Sequence, residues 1–141
     1  IGMNTIFITH CSGTKDDSLK DTGKSVTPDV LYTSRRIKSF IKRCMESRVK
    51  WAIFSDYYGI WFADEKHQWY EKHPDTVTNE EYKKLLNSLD SKLKIFDTIC
   101  FYYNPARFHR LYKKLLEDTA LRDRIIKFSH VNDIEKGVFH V

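Results

Sequence analysis

The sequence predicts an α/β protein built on a mostly parallel sheet, and three observations lead to this fold class. Short β-branched and aromatic runs alternate with segments whose apolar residues recur at helical spacing. The resulting order, β-α-β-α-β-α-β, favours parallel strands joined by right-handed crossovers, with helices on both faces. We expect a three-layer sandwich with four strands in the spatial order 2-1-3-4. The length of 141 residues, with no evident linker, predicts a single domain over residues 1–141.

The first half of the chain predicts one strand and one helix. Thr5–His10 (TIFITH) is apolar and β-branched, as expected for a buried strand. A polar segment with glycine and proline breakers, Cys11–Pro28, follows it. A helix is predicted over Ser34–Ser47, because apolar residues recur there at spacings of three and four and Thr33 or Ser34 can cap its N-terminus.

The middle of the chain predicts a strand, a long loop and a second helix. Val49–Ser55 (VKWAIFS) is the second predicted strand. The segment Asp56–Thr76 is rich in aromatic residues and histidine, and as a loop it is longer than compact domains usually tolerate without a purpose. Thr78 and Glu81 form a capping box, which predicts a helix from there through Leu93.

The last part of the chain predicts two more strands around a third helix. Asp97–Tyr102 (DTICFY) is the third predicted strand. A helix is expected from Pro105 to about Leu116, with Asn104 as its cap, because proline favours the first helical position. Arg124–Ser129 (RIIKFS) is a short fourth strand.

Composition restricts the possible functions less than the strand and helix pattern restricts the fold. The net charge of +5 and pI of about 9.1 are compatible with a nucleotide or nucleic-acid partner, although mild for a dedicated nucleic-acid binder. No apolar run approaches the roughly 20 residues of a membrane span, and no signal peptide is recognised, so with Met3 as the native start we expect a cytoplasmic protein without membrane contact. Three widely spaced cysteines without a CxxC pair predict neither disulfides nor a zinc knuckle. No metal or other cofactor is expected, since the spacing of His67 and His73 matches no common metal site.

The most suggestive residues follow the first strand. In an open α/β sheet, ligands bind beyond the carboxyl ends of the strands. There the turn of Cys11, Ser12, Gly13 and Lys15 offers backbone N–H groups and one cation, which can cradle a phosphate or a carboxylate. It is not a P-loop, and an ordinary tight turn with an exposed lysine remains the alternative. Cys11 is also a candidate nucleophile, but pairing with His10 is disfavoured because adjacent strand residues point to opposite faces.

The other strand ends contribute further candidates. Asp56 can serve as a general acid or base, or only cap local backbone N–H groups. Tyr57 or Tyr58 can stack on a planar base or pack under the loop. After the third strand, Arg107 can pair with a phosphate or carboxylate. The predicted ligand-binding set is completed by Tyr32, Ser34, Ser55, Gly59 and Asn104.

The runs FITHCSGTK, LYTSRR and AIFSDYYGI, in this order, resemble a group of small α/β proteins with a CSxxK…LYTS…SxxYG pattern. A related domain occurs in archaeosine synthase, the archaeal tRNA-modifying relative of tRNA-guanine transglycosylase, and is similar in fold to uracil-DNA glycosylases. The resemblance implies a nucleobase, nucleotide or tRNA context for the matching positions. These are Cys11, Ser12, Lys15, Tyr32, Ser34, Ser55, Tyr58 and Gly59.

The chain departs from the family pattern in three places. An insertion of 16 residues separates Lys15 from Tyr32, and Arg35 and Arg36 stand where a histidine is expected nearby. After the second strand, the small apolar continuation of the relatives becomes the bulky run 60–62 (IWF).

Two functions remain open from the sequence. In the first, the chain is a nucleotide- or nucleic-acid-related enzyme domain, linked to tRNA or nucleobase modification. Asp56 would then be the acid or base, Lys15 would hold an anionic group, and Tyr58 would stack or form a hydrogen bond. In the second, it is a non-catalytic module that binds a nucleotide, RNA or a protein. The sequence predicts no particular oligomeric state.

Overall fold

A five-stranded sheet forms the centre of residues 4–134, which are the residues that the computed structural model describes. In chain order the strands are β1 (Thr5–His10), β2 (Ser25–Val26), β3 (Lys50–Ser55), β4 (Gly59–Phe62), β5 (His67–Gln68), β6 (Thr98–Tyr102) and β7 (Ile125–Phe128). The helices are α1 (Pro28–Leu31), α2 (Arg35–Glu46), α3 (Asn79–Leu93) and α4 (Arg110–Asp118). Within residues 4–134, each helix is too short or too polar to traverse a lipid bilayer.

The sheet has the order β4-β3-β1-β6-β7, and the four strands from β3 to β7 in this order run parallel. These are the four strands expected from the sequence, in the expected order 2-1-3-4. Their parallel direction places all four carboxyl ends at one edge of the sheet. The turns that follow β1 and β3 therefore lie side by side.

The predicted count of four strands is wrong, because β4 pairs antiparallel with β3 in the segment expected to be a loop. Gly59 makes the tight return possible, since it adopts φ +78° and pairs directly with Ser55. Burial favours the extra strand, as Ile60 and Trp61 are both fully buried. Later in the same segment, β5 pairs with β2 in a separate two-stranded ribbon.

Helices cover both faces of the sheet, as two neighbouring residues of β1 demonstrate. The Thr9 hydroxyl accepts a hydrogen bond from Arg36 of α2, at 2.6 Å from Nη1 to Oγ1. The ring of His10 instead stacks on Tyr112 of α4, with 4.8 Å between the centroids. Because successive strand side chains point to opposite faces, α2 and α4 lie on opposite sides.

Two of the three predicted helices begin where their caps predicted. Ser34 Oγ accepts a hydrogen bond from the Ile37 N–H at the start of α2, and Thr78 and Glu81 form the reciprocal capping box of α3. The start predicted for the third helix, at Pro105, is wrong. Pro105–Arg107 is only a 3₁₀ turn, and α4 begins at Arg110 after an extended Phe108.

Candidate functional site

The carboxyl ends of β1 and β3 bring Cys11 and Asp56 together. The Cys11 N–H donates to the Phe54 carbonyl at 2.9 Å, which continues the strand pairing by one residue. The Cys11 thiol donates to Asp56 Oδ1 at 3.4 Å, and the Asp56 N–H donates back to Sγ at 3.3 Å. The Tyr112 hydroxyl from α4 lies 3.1 Å from the same sulfur. Three elements therefore converge on one thiol and one carboxyl.

Burial controls the protonation of this pair. Asp56 is only 2% exposed, and burial raises the pKa of its carboxyl, while the hydrogen bond from Cys11 and the charge of Lys15 partly oppose the rise. Burial, reinforced by the Asp56 charge, raises the pKa of the Cys11 thiol to about 11. Cys11 is therefore a thiol at neutral pH and can act as a donor to Asp56.

Lys15 places a cation beside this pair. The residue is 7% exposed, and its ammonium lies 4.2 Å from the centroid of the Tyr70 ring. Among residues 4–134, that ammonium forms no ion pair and no hydrogen bond. A largely buried lysine without a carboxylate partner in contact is a suitable group to receive an anionic ligand.

The 16-residue insertion is closed by a short antiparallel contact. Lys15 and Tyr32 form an isolated β-bridge. It is flanked by hydrogen bonds from the Asp16 N–H to the Leu31 carbonyl at 2.8 Å and from the Thr33 N–H to the Thr14 carbonyl at 3.2 Å. The two motif segments, which are distant in sequence, therefore lie side by side.

A chain of hydroxyl groups completes the site beneath Lys15. The hydroxyls of Tyr32 and Tyr70 are 2.6 Å apart, and the Ser55 hydroxyl donates to that of Tyr70 at 3.1 Å. Ser55 Oγ also accepts hydrogen bonds from the N–H groups of Tyr57 and Tyr58 and so fixes the turn that carries Asp56. We refer to the convergent residues as the Asp56 cluster. It comprises Cys11, Lys15, Tyr32, Ser55, Asp56, Tyr70 and Tyr112.

Tyr57 provides an exposed aromatic surface next to the Asp56 cluster. Tyr57 is 55% exposed, and its ring stacks on Tyr70 with 5.3 Å between centroids and 12° between planes. Tyr58 is held differently, stacked on His67 at 4.0 Å and donating its hydroxyl to the Gln68 carbonyl at 2.9 Å. A groove of about 530 Å³ runs along these aromatic rings. Of the two tyrosines named from the sequence, Tyr57 offers the free face.

Several predicted site residues have a local structural role instead. Ser12 Oγ accepts from the Thr14 N–H in the first turn, where Gly13 is exposed. Ser34 is the cap of α2, and a Cβ on Gly59 would lie only 2.5 Å from Ser88 Oγ.

Asn104 and Arg107 lie apart from the Asp56 cluster, in the turn after β6. The Asn104 carboxamide accepts from the Ala106 N–H at 3.0 Å, and the Arg107 N–H donates to the Asn104 carbonyl at 2.9 Å. Neither side chain hydrogen bonds to a member of the cluster within residues 4–134.

Sequence reasoning missed Tyr70, Tyr112 and Arg36 as site residues. Tyr70 lies in the segment Asp56–Thr76. The high content of aromatic residues in that segment was the only indication that it could contribute to a site. Arg36 donates to the carbonyls of His10 at 2.8 Å and Cys11 at 3.3 Å and so holds the first turn from beneath. The local sequence around Tyr112 gives no sign of a functional role, because the residue occupies an ordinary buried position of a helix.

His10 contributes packing rather than a second reactive group. Burial and the nearby charge of Arg36 lower the pKa of its imidazole to about 4, so the ring is neutral at physiological pH. Its Nδ1 lies 2.9 Å from the Cys11 carbonyl, and no hydrogen bond joins its ring to the Cys11 sulfur among the described residues. Within residues 4–134, no group of three or more His, Cys, Asp or Glu side chains is arranged to hold a metal ion.

Comparison of this chain with models of protein families, with curated proteins and with solved structures finds no significant match in any of the three. The fold class and the site are therefore defined by the chain's own geometry. They describe an α/β protein with a mostly parallel sheet and a buried carboxyl, a cation and an exposed aromatic ring at its carboxyl edge.

Proposed function

We propose that this chain is a nucleotide- or nucleic-acid-related enzyme domain that acts at the carboxyl edge of its parallel strands. Asp56 carries this proposal, because its carboxyl is 2% exposed, has a raised pKa and lies beside a cation with no carboxylate in contact. A carboxyl whose pKa is moved toward neutrality by burial is suited to general acid or base chemistry.

The surroundings of Asp56 favour a ligand that is both anionic and planar. Lys15 supplies the charge that a phosphate group would meet. Tyr57 supplies a ring face, backed by Tyr70, on which a nucleobase can stack. Nucleotides combine these two features in one molecule.

The family resemblance gives this site a chemical context. The pairing of Lys15 with Tyr32 supports the resemblance, since it brings the CSxxK and LYTS segments together despite the insertion. We extend the proposal to nucleobase or tRNA modification on a fold related to that of uracil-DNA glycosylases. The corresponding reaction is cleavage or exchange of an N-glycosidic bond. In the hydrolytic form, the oxygen of water bonds to the sugar carbon as the C–N bond breaks, Asp56 would take the proton of that water, and the base departs with the electron pair of the C–N bond.

A non-catalytic nucleotide or RNA module is the second candidate. The protonated state of the Cys11 thiol favours it, because the site then lacks an activated nucleophile. Both candidates predict binding at the same edge, and they differ only in turnover.

Turnover is the test. The purified chain would be incubated with nucleosides, nucleoside monophosphates and bulk tRNA, and released free base would be followed by liquid chromatography. We expect release by the wild type, and loss of release in Asp56→Asn and Lys15→Ala. The exposed residues Asp123 and Lys24 provide matched controls, Asp123→Asn and Lys24→Ala, which should behave as wild type.

A thermal-shift screen with the same compounds separates the two candidates. A ligand at about 100 times its Kd should stabilise the protein by about 2.7 kcal/mol. A shift that depends on Lys15 without any base release would favour the non-catalytic module. Base release that persists in both Asp56→Asn and Lys15→Ala would contradict the proposed site.

A further inference from the structure

A second basic feature lies on the opposite side of the first turn from the Asp56 cluster. The guanidinium of Arg36 reaches under the end of β1, where it donates to the Thr9 hydroxyl and to the carbonyls of His10 and Cys11. These partners are neutral, and no carboxylate within residues 4–134 pairs with Arg36. Desolvation lowers the pKa of the guanidinium. Arg36 is half-buried, and a partly desolvated cation without a carboxylate partner is stabilised by an anion.

A groove of about 470 Å³ opens beside this guanidinium, at the carboxyl ends of β6 and β7. The lining residues with polar side-chain groups are Arg35, Arg36, Ser39, Tyr102, Tyr103, Asn104 and Ser129. Arg35 is exposed, and it forms no ion pair among the described residues. Asn104, which the sequence singled out as a ligand residue, is therefore placed here and not at Asp56.

The absence of carboxylates distinguishes this groove from three others within residues 4–134, although those grooves also contain lysine or arginine. Each of those three is lined by two carboxylates, namely Asp75 with Glu117, Asp21 with Glu71, and Asp29 with Glu46. The groove beside Arg36 has two arginines and no carboxylate. Forked guanidinium donors with hydroxyl and amide groups around them suit the oxygens of a phosphate group.

We propose that Arg35, Arg36 and Asn104 form a phosphate-binding subsite for a phosphate ester, adjacent to the Asp56 cluster. The subsite deepens the proposed function and rests on it for the identity of the ester as a nucleotide or polynucleotide. One residue links the two sites. Cys11 accepts from Arg36 through its carbonyl at 3.3 Å and donates through its thiol to Asp56 at 3.4 Å.

Inorganic phosphate is the probe, followed by ¹H–¹⁵N NMR titration of the wild-type chain. We expect the largest shift changes at the amides of Ser39, Asn104 and Ser129. Arg35→Ala should raise the Kd for phosphate about tenfold, the loss expected for about 1.4 kcal/mol of charged hydrogen bonding. Lys42→Ala, which removes the same charge from an exposed position of α2, should leave the Kd unchanged.

Two further variants keep the outcome decisive. Arg36→Lys retains the charge but loses the paired N–H donors of the guanidinium. A folded Arg36→Lys protein should therefore also bind phosphate more weakly. Lys15→Ala should retain the shift changes at Asn104 and Ser129. Equal Kd values in Arg35→Ala and Lys42→Ala, the absence of shift changes in the groove, or tighter binding of acetate than of phosphate would each overturn the subsite.

Failure of the proposed function gives a different pattern. If phosphate binds in the arginine groove while no nucleoside or nucleotide is bound at Tyr57 or cleaved, the subsite stands and the proposed function fails. If nucleosides bind at Tyr57 and phosphate leaves the groove unperturbed, the proposed function stands and the subsite fails.

Discussion

The Cys11 thiol donates a hydrogen bond to the Asp56 carboxyl across the ends of two adjacent parallel strands, with 3.4 Å between Sγ and Oδ1. The Asp56 N–H returns a hydrogen bond to the same sulfur at 3.3 Å, so each residue fixes the other. A thiol is a weak donor. The thiol can therefore orient the Asp56 carboxyl through Oδ1 while only weakly stabilising its ionised form.

The thiols should be unreactive in the native protein. A rise in the Cys11 pKa from 9.0 to about 11 lowers its thiolate fraction about a hundredfold at pH 8. Cys44 and Cys100 are also buried, with raised pKa values. Reaction with a colorimetric disulfide reagent at pH 8 should therefore be at least about a hundredfold slower in the native than in the urea-unfolded protein. A fast native reaction that disappears in Cys11→Ser would contradict the donor role of this thiol.

Asp56→Asn should stabilise the protein at neutral pH while removing turnover. The folded-state pKa of Asp56 lies above its unfolded value, so the folded state binds the proton more tightly. Its contribution to the free energy of unfolding is therefore present at low pH and is lost as pH rises through the folded pKa. The gain from Asn should shrink as pH falls toward the ordinary carboxyl pKa. Urea unfolding at several pH values, with Asp123→Asn as control, measures it, and a pH-independent difference would contradict the raised pKa.

His10→Phe should make the protein more resistant to acid. The His10 pKa is about 4 in the folded state and 6.5 in the reference state, so the unfolded chain binds the extra proton between these values. Stability should fall by about 3 kcal/mol as pH drops through this window. Phenylalanine keeps the stacking on Tyr112 and removes the titration. The variant should lack this part of the pH dependence in urea unfolding, whereas His130→Phe, at an exposed position, should retain it.

Gly59→Ala should destabilise the fold. Gly59 adopts φ +78°, which costs an L-residue about 1–2 kcal/mol, and a Cβ would lie 2.5 Å from Ser88 Oγ. That oxygen accepts from the Ile60 N–H at 3.0 Å, so it cannot withdraw without losing a hydrogen bond. Gly13→Ala is the control, because a Cβ there meets nothing within 4 Å. Equal unfolding free energies for the two variants would show that β4 tolerates a looser turn.

Tyr57→Ala should weaken binding of any nucleobase ligand by about 1–3 kcal/mol, while Tyr57→Phe should preserve it, because stacking needs the ring and not the hydroxyl. Tyr57 is 55% exposed and its ring stacks on Tyr70, so truncation should leave the core intact. Isothermal calorimetry with the ligand found by the thermal-shift screen provides the comparison. Equal losses in Ala and Phe would show that the hydroxyl, not the ring face, makes the contact.

The parallel strands, their order and the caps of α2 and α3 were predictable from local patterns. Apolar periodicity and capping residues act over a few positions, and the alternation of strand and helix restricts the possible topologies. The strand β4 was missed because it depends on Gly59 returning the chain onto β3, which local pattern alone did not distinguish from an aromatic loop. The start of α4 was misplaced because contacts of Phe108 with His10 and Phe101 hold the chain extended before the helix.

The sequence by itself determined that polar residues follow each parallel strand, and it singled out Cys11, Lys15 and Asp56 as the central ones. Only the tertiary structure decided their partners. Tyr70 and Tyr112 enter the site from a distant loop and a distant helix, and burial gives Cys11 and Asp56 raised pKa values. The reason is physical: strand order and helix caps are set by neighbours along the chain, whereas desolvation and ring contacts depend on which remote segments pack together.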